Sequence, residues 1–177
     1  YKNVSIKIMT EAILNKNMIE GQIKSINGMS EQLLSVFYSL DRNDFMPEDM
    51  KEMSYVEKNI ILQNKRTILK PSLIAQIALC INLKANENVL ILGATTGYLS
   101  AILSNQAETV IVVEENEKLL NNSENAIKKN NINNVVFIKN EIAKGYNEQS
   151  PFNAIIIEGA IQEVPINIID QLDEGGR

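Results

Sequence analysis

Val89-Leu90-Ile91-Leu92 is a continuous apolar run that opens into Gly93-Ala94-Thr95-Thr96-Gly97-Tyr98. Such a run reads as a strand buried on both faces. A glycine-bearing turn at its carboxyl end is where an open α/β sheet holds a nucleotide-like ligand. Gly93 permits a tight turn and close backbone approach, and Gly97 lets the next helix pack near the strand. Thr95 stands where a dinucleotide loop has its second glycine, and no Gly-Lys-Ser/Thr follows, so the loop matches neither the dinucleotide fingerprint nor the P-loop. Taken alone, it reads as either a ligand cradle or a plain turn. Glu114 sharpens the choice, because it ends the next β-branched run about 20 residues on, where a carboxylate can accept both hydroxyls of a ribose. The competing reading is a solvated charge at a helix start beside Glu115; with the loop in place, the ribose reading is favoured. Asn140, Glu141 and Ile142 follow a third run. Asn140 or Glu141 can bond an adenine or its ribose, and Ile142 can pack on the ring. As loop residues they need no such role.

The elements that must hold these residues follow from the apolar pattern. Strands are expected at 89–92, 109–113, 134–138 and 152–157, with helices starting at Pro71, following Gly97 (a stretch with Leu99, Ile102 and Leu103), and spanning 115–130 and 164–172. Alternation at that pace predicts βαβ units, hence a mostly parallel, doubly wound sheet with helices on both faces. Pro71 suits a first helical turn. Leu73, Ile74, Ile77, Ala78 and Ile81 supply that helix's expected buried face, and Cys80 is read as core. Residues 4–40 carry apolar positions at helical spacing (Ile6, Met9, Ile13; Met18, Ile19, Ile23, Ile26; Leu33, Leu34, Phe37, Leu40). Asn27-Gly28 interrupts them, and Ser30 suits a helix start. Residues 48–70 read as mostly irregular, with Met46, Met50 and Met53 as loop packing. The organisation expected is a helical region over 1–55 and a ligand-binding α/β domain over 56–177, forming one compact unit. Gly175-Gly176-Arg177 reads as a turn feeding a further strand, so the sheet is expected to continue past it.

Composition narrows the chemistry. The 177 residues carry 17 Lys and Arg against 22 Asp and Glu, a formal charge of −5. That balance disfavours a general nucleic-acid or anionic-membrane binder. One cysteine excludes an intrachain disulfide. The chain has no histidine, which excludes Ser-His-Asp and Cys-His pairs and any His-ligated zinc. Glu108, Glu114, Glu115 and Glu117 read as a solvated helix start rather than a metal site. No apolar run reaches the roughly 20 residues of a membrane span, and a cytoplasmic protein is the default.

These residues together resemble the protein-L-isoaspartate O-methyltransferases, a family of class I S-adenosylmethionine-dependent methyltransferases. The resemblance runs from about Met18 to Arg177. Its markers are Met18 to Ile23, Arg42 to Pro47, Thr67 to Pro71, the loop Gly93 to Tyr98, Asn134 to Asn153, and Val164-Pro165 with Gln171 to Arg177. Several positions depart from the family pattern. Leu69 stands at the family's substrate-side serine, Ile91 at an acid that helps hold the cofactor, and Thr95 at the middle loop glycine. Asn140-Glu141-Ile142 replaces Gly-Asp-Gly, Asn153 an aspartate, and Glu158 a threonine. A divergent subgroup, with an arginine-x-leucine-leucine-x-proline-like segment, fits Arg66 to Pro71 better.

The resemblance implies a Rossmann-like fold, S-adenosyl-L-methionine as cofactor, and an isoaspartyl-containing protein or peptide as substrate, the chemistry of protein repair. It places Thr67 and Leu69 beside the substrate and Gly93, Ala94, Thr95, Thr96, Gly97, Glu114, Glu141 and Ile142 around the cofactor, with no metal. Impaired catalysis, a different methyl acceptor, or a non-catalytic cofactor-binding or interaction protein on the same fold remain open at this level.

Overall fold

In the computed structural model, residues 2–62 and 65–177 are described, with side chains from Thr10 onward. The expected roles of Ile6 and Met9 lie outside those side chains. Helix α1 (Lys2–Met18) runs into a π-helical turn at Ile19–Ile23, and α2 spans Glu31–Ser39. Ser30 caps α2, its side chain accepting from the Leu33 amide at 3.1 Å, which satisfies one of the donors a helix start leaves open. Spacing in α1 marks a helix without marking burial: among its described side chains Ile13 is 56% exposed, and Met18 is the apolar one that is buried.

Two short antiparallel strands, β1 (Ile60–Ile61) and β2 (Thr67–Ile68), lie where irregular chain was expected. Two residues each are too few to show a period. Met46 packs there with Ile60 and Ile68, and Met50 and Met53 cover them, so these methionines do serve loop packing.

Helix α3 spans Pro71–Ile81, with Pro71 in its first turn. Its fully buried stripe is Pro71, Ile74, Ala75 and Ala78. Cys80 is exposed, contrary to its reading as core. Two residues past Ala78 is about 200° around a helix of 3.6 residues per turn, which turns Cys80 to solvent.

The strands are β3 (Asn88–Leu92), β4 (Thr109–Glu114), β5 (Val135–Lys139) and β6 (Ala154–Ile157), all parallel, in the order β5-β4-β3-β6. Helices α4 (Tyr98–Ser104), α5 (Glu117–Lys129) and α6 (Ile166–Ile169) connect and cover them. Alternate residues face opposite layers. Val89, Ile91, Val110, Val112, Ala154 and Ile156 pack with α2 to α5, whereas Leu90, Leu92, Ile111 and Val113 pack with Phe152 and Ile168. Burial on both faces explains the unbroken apolar runs in the sequence. This is the Rossmann-like architecture expected. Its strand order reverses between β3 and β6, and ligands bind in open sheets beyond the carboxyl ends at that point.

Candidate functional site

The turn after β3 is held by its backbone. Gly93 has φ 97° and donates its N–H to Val113 O at 2.8 Å. Gly97 has φ 82° and sits at the start of α4. A Cβ at Gly97 would stand 3.2 Å from both Cβ and O of Ser123 on α5. Gly97→Ala is therefore expected to cost about 2 kcal/mol in left-handed strain and crowding. A thermal melt should fall by about 4–8 °C.

Beyond the turn, Tyr98 is buried against Phe45, with centroids 5.3 Å apart, and the Arg42 guanidinium lies 5.2 Å from its ring. Arg42 donates through Nη2 to Leu69 O at 2.7 Å and through Nε to Ser54 O at 2.7 Å. The Arg42–Pro47 segment thereby ties the chain that carries Thr67 and Leu69 to the loop region.

Glu114, at the end of β4, is fully buried. Each carboxylate oxygen takes two donors. Oε1 accepts from the Asn116 amide at 2.8 Å and Arg66 Nη1 at 3.2 Å. Oε2 accepts from the Ala94 amide at 2.8 Å and lies 3.1 Å from Arg66 Nη2. Two backbone N–H groups and one guanidinium fork thus occupy all of the roughly four acceptor positions of a carboxylate. The bonds to Ala94 and Asn116 lock the loop to the end of β4. They also remove Glu114 from the reading as a solvated helix-start charge; Asn116 is the cap of α5, accepting from the Leu119 amide at 3.1 Å.

A cleft of about 810 Å³ opens at the carboxyl edge between β3 and β6. Thr67, Leu69, Ile142 and Glu158 line it, with Leu73 and Ile77 of α3 and Leu92 at its floor. Gly93, Ala94 and Glu114 are buried behind Arg66, and a Cβ on Gly93 would collide with Arg66 Nη2. Thr95 and Thr96 are also buried and line a separate groove toward Asp44 and Lys129. Glu141 turns to solvent, 65% exposed and 2.7 Å from Lys144, outside the cleft lining. The structure therefore brings Thr67, Leu69 and Ile142 to one cleft and Gly93, Ala94 and Glu114 to its shielded wall, and leaves Glu141 outside.

Two residues outside the expected cofactor and substrate set matter here. Arg66 meets Glu114 across 48 positions of sequence, and no local pattern announces such a pair. Glu158 closes β6, its amide donating to Leu92 O at 2.9 Å. Burial pushes its carboxyl up to about 7, while Thr95 and Arg66 pull it the other way. Thr95 Oγ1 forms no hydrogen bond of good geometry among the described residues. An acid whose folded pKa exceeds its ordinary 4.5 adds stability that is complete below pH 4.5 and is lost as pH rises through about 7. At 1.36 kcal/mol per unit the loss is about 3 kcal/mol. Glu158→Gln should abolish this pH dependence, so in denaturant melts the variant gains stability relative to wild type as pH rises from about 5 to about 8.

The family model for protein-L-isoaspartate(D-aspartate) O-methyltransferase (PCMT) matches residues 13–177. The chain belongs to this family. A protein-L-isoaspartate O-methyltransferase of Geobacter metallireducens is 30% identical over 165 residues, covering 93% of this chain and 76% of its own length. One from Syntrophobacter fumaroxidans is 28% identical over 160 residues, covering 90% and 75%. Solved structures agree on the fold. A protein-L-isoaspartate O-methyltransferase superposes with TM-score 0.76 at 23% identity over 94% of this chain and 53% of its own. A Plasmodium falciparum protein-L-isoaspartate O-methyltransferase in complex with S-adenosyl-L-homocysteine gives 0.73 at 24% identity, over 94% and 81%. Among the described residues no helix is long and apolar enough to cross a membrane.

Proposed function

We propose that the chain is an S-adenosylmethionine-dependent methyltransferase that esterifies isoaspartyl carboxylates in proteins or peptides. The observation that carries this reading is the match of residues 13–177 to the PCMT family. The wall at the strand ends supports it. Glu114 is buried with its inner lone pairs spent on the Ala94 and Asn116 amides and its outer pair turned to a two-donor partner. That pair of acceptor positions fits a ribose diol, which presents two O–H donors. Gly93 leaves the close approach a nucleoside needs, since it carries no Cβ. Ile142 and Leu69 offer apolar surface in the adjoining cleft.

When bound, S-adenosylmethionine supplies an electrophilic methyl on a sulfonium, whose departure as a neutral thioether requires no proton. The chain's residues then have to bind and orient rather than exchange protons. A peptide carboxylate with an ordinary pKa near 4 is already ionised at pH 7, so a protein without histidine can serve it. An amine acceptor would first need deprotonation. Thr67 lines the cleft with a hydroxyl, and Leu69 presents none. The cofactor half of the proposal is tested by calorimetric titration with S-adenosylmethionine. A saturable one-to-one isotherm is expected, and absence of heat at millimolar ligand would overturn it.

A further inference from the structure

Arg66 stands where the ribose has to go. Its two terminal nitrogens take the outer positions of Glu114, one on each carboxylate oxygen, at 3.2 and 3.1 Å. The inner positions belong to the Ala94 and Asn116 amides at 2.8 Å, bonds that hold the loop itself. A ribose diol therefore has no lone pair on Glu114 until Arg66 leaves, and when Arg66 leaves it vacates the matching pair. The same guanidinium covers Gly93 so closely that a Cβ there would meet Nη2. Gly93 and Glu114 are sealed from the cleft that Arg66 itself lines. The pair is asymmetric. Glu114 is fully buried, whereas the Arg66 side chain keeps 21% of its surface exposed at the cleft. Arg66 lies at the edge of the short strand β2 and can turn to water; Glu114, fixed by two amides, cannot.

We propose that Arg66 is a displaceable latch that occupies the cofactor's ribose position on Glu114, so that cofactor and Arg66 compete for the same two lone pairs. The proposal rests on the methyltransferase reading above and adds a cost to cofactor binding. The measured affinity is the intrinsic affinity reduced by the fraction of protein in which the latch is open. Cofactor binding then uncovers Gly93 and sends the guanidinium into the cleft, whose other charged lining is Lys65 with Glu115, Glu158 and Glu163, three acids to one base.

Calorimetric titration of wild type and Arg66→Gln with S-adenosylhomocysteine tests this. The variant is expected to bind five- to tenfold more tightly. The 2′,3′-dideoxy analogue still has to displace Arg66 but gains no bond to Glu114 in return, so wild type should bind it more weakly than S-adenosylhomocysteine while the gain of the variant persists. Arg66→Lys keeps the charge but lacks the fork; it should show a smaller gain and carries the test if Arg66→Gln does not fold. Equal or weaker binding by the variants would overturn the latch and make Arg66 an ordinary part of the wall. Wild-type binding without methyl transfer to isoaspartyl peptides would instead refute the methyltransferase reading, while the affinity ratio still decides the latch. No binding by any of these proteins at millimolar ligand would overturn both.

Discussion

Glu114→Ala is expected to lower stability by about 3 kcal/mol and to weaken S-adenosylmethionine binding at least about 15-fold. Breaking a buried pair by deleting one partner costs about 3–5 kcal/mol. The low end applies because Arg66 keeps 21% exposure and can rehydrate. The buried Ala94 amide and the Asn116 amide also lose their acceptor, and an orphaned buried donor costs about 1–3 kcal/mol. A melt lower by about 6–12 °C should accompany the loss. The binding effect follows from two hydroxyl bonds to a charged acceptor at about 1.5–3 kcal/mol each, less the roughly five- to tenfold gain from releasing Arg66. Wild-type affinity in a folded Glu114→Ala protein would place the ribose elsewhere.

Leu69→Ser is expected to act in the opposite direction. Leu69 lines the cleft and is partly buried against the main core, while its carbonyl is held by Arg42 Nη2 at 2.7 Å. That bond fixes the backbone independently of the side chain. A serine there would return the hydroxyl that the family places beside the substrate. One hydrogen bond to a charged group is worth on the order of 1.5–3 kcal/mol, so kcat/KM toward an isoaspartyl peptide should rise roughly 10- to 150-fold. The lost packing lowers stability modestly. Unchanged activity would show that position 69 does not contact the acceptor carboxylate.

Much of the fold was legible because the sheet is buried on both faces. Val89 to Leu92 and Val110 to Val113 must then be apolar at every position, and the helices between them must carry a stripe. Glycines with left-handed φ at 93 and 97 marked the turn. Legibility failed where length or direction failed. Strands of two residues, β1 and β2, show no period. Cys80 sits among apolar neighbours on a helix, yet its angular position turns it outward. In α1 apolar spacing coexists with exposure at Ile13 and Leu14. At the site, Glu114 was visible as a carboxylate ending a strand. Its fourfold ligation was not, because two donors are backbone amides and the other two come from Arg66 48 residues away. Glu158 was visible as a departure from the family, but its raised pKa depends on burial that only the packed sheet provides.

Methyl transfer itself tests most directly whether this chain esterifies isoaspartyl carboxylates. Purified protein is given S-adenosylmethionine labelled in the methyl group, together with an isoaspartyl peptide and, separately, its aspartyl isomer. A base-labile methyl ester is expected on the isoaspartyl peptide alone, formed slowly by wild type and faster by Leu69→Ser. Saturable cofactor binding with no label on the isoaspartyl peptide in either protein would contradict that activity.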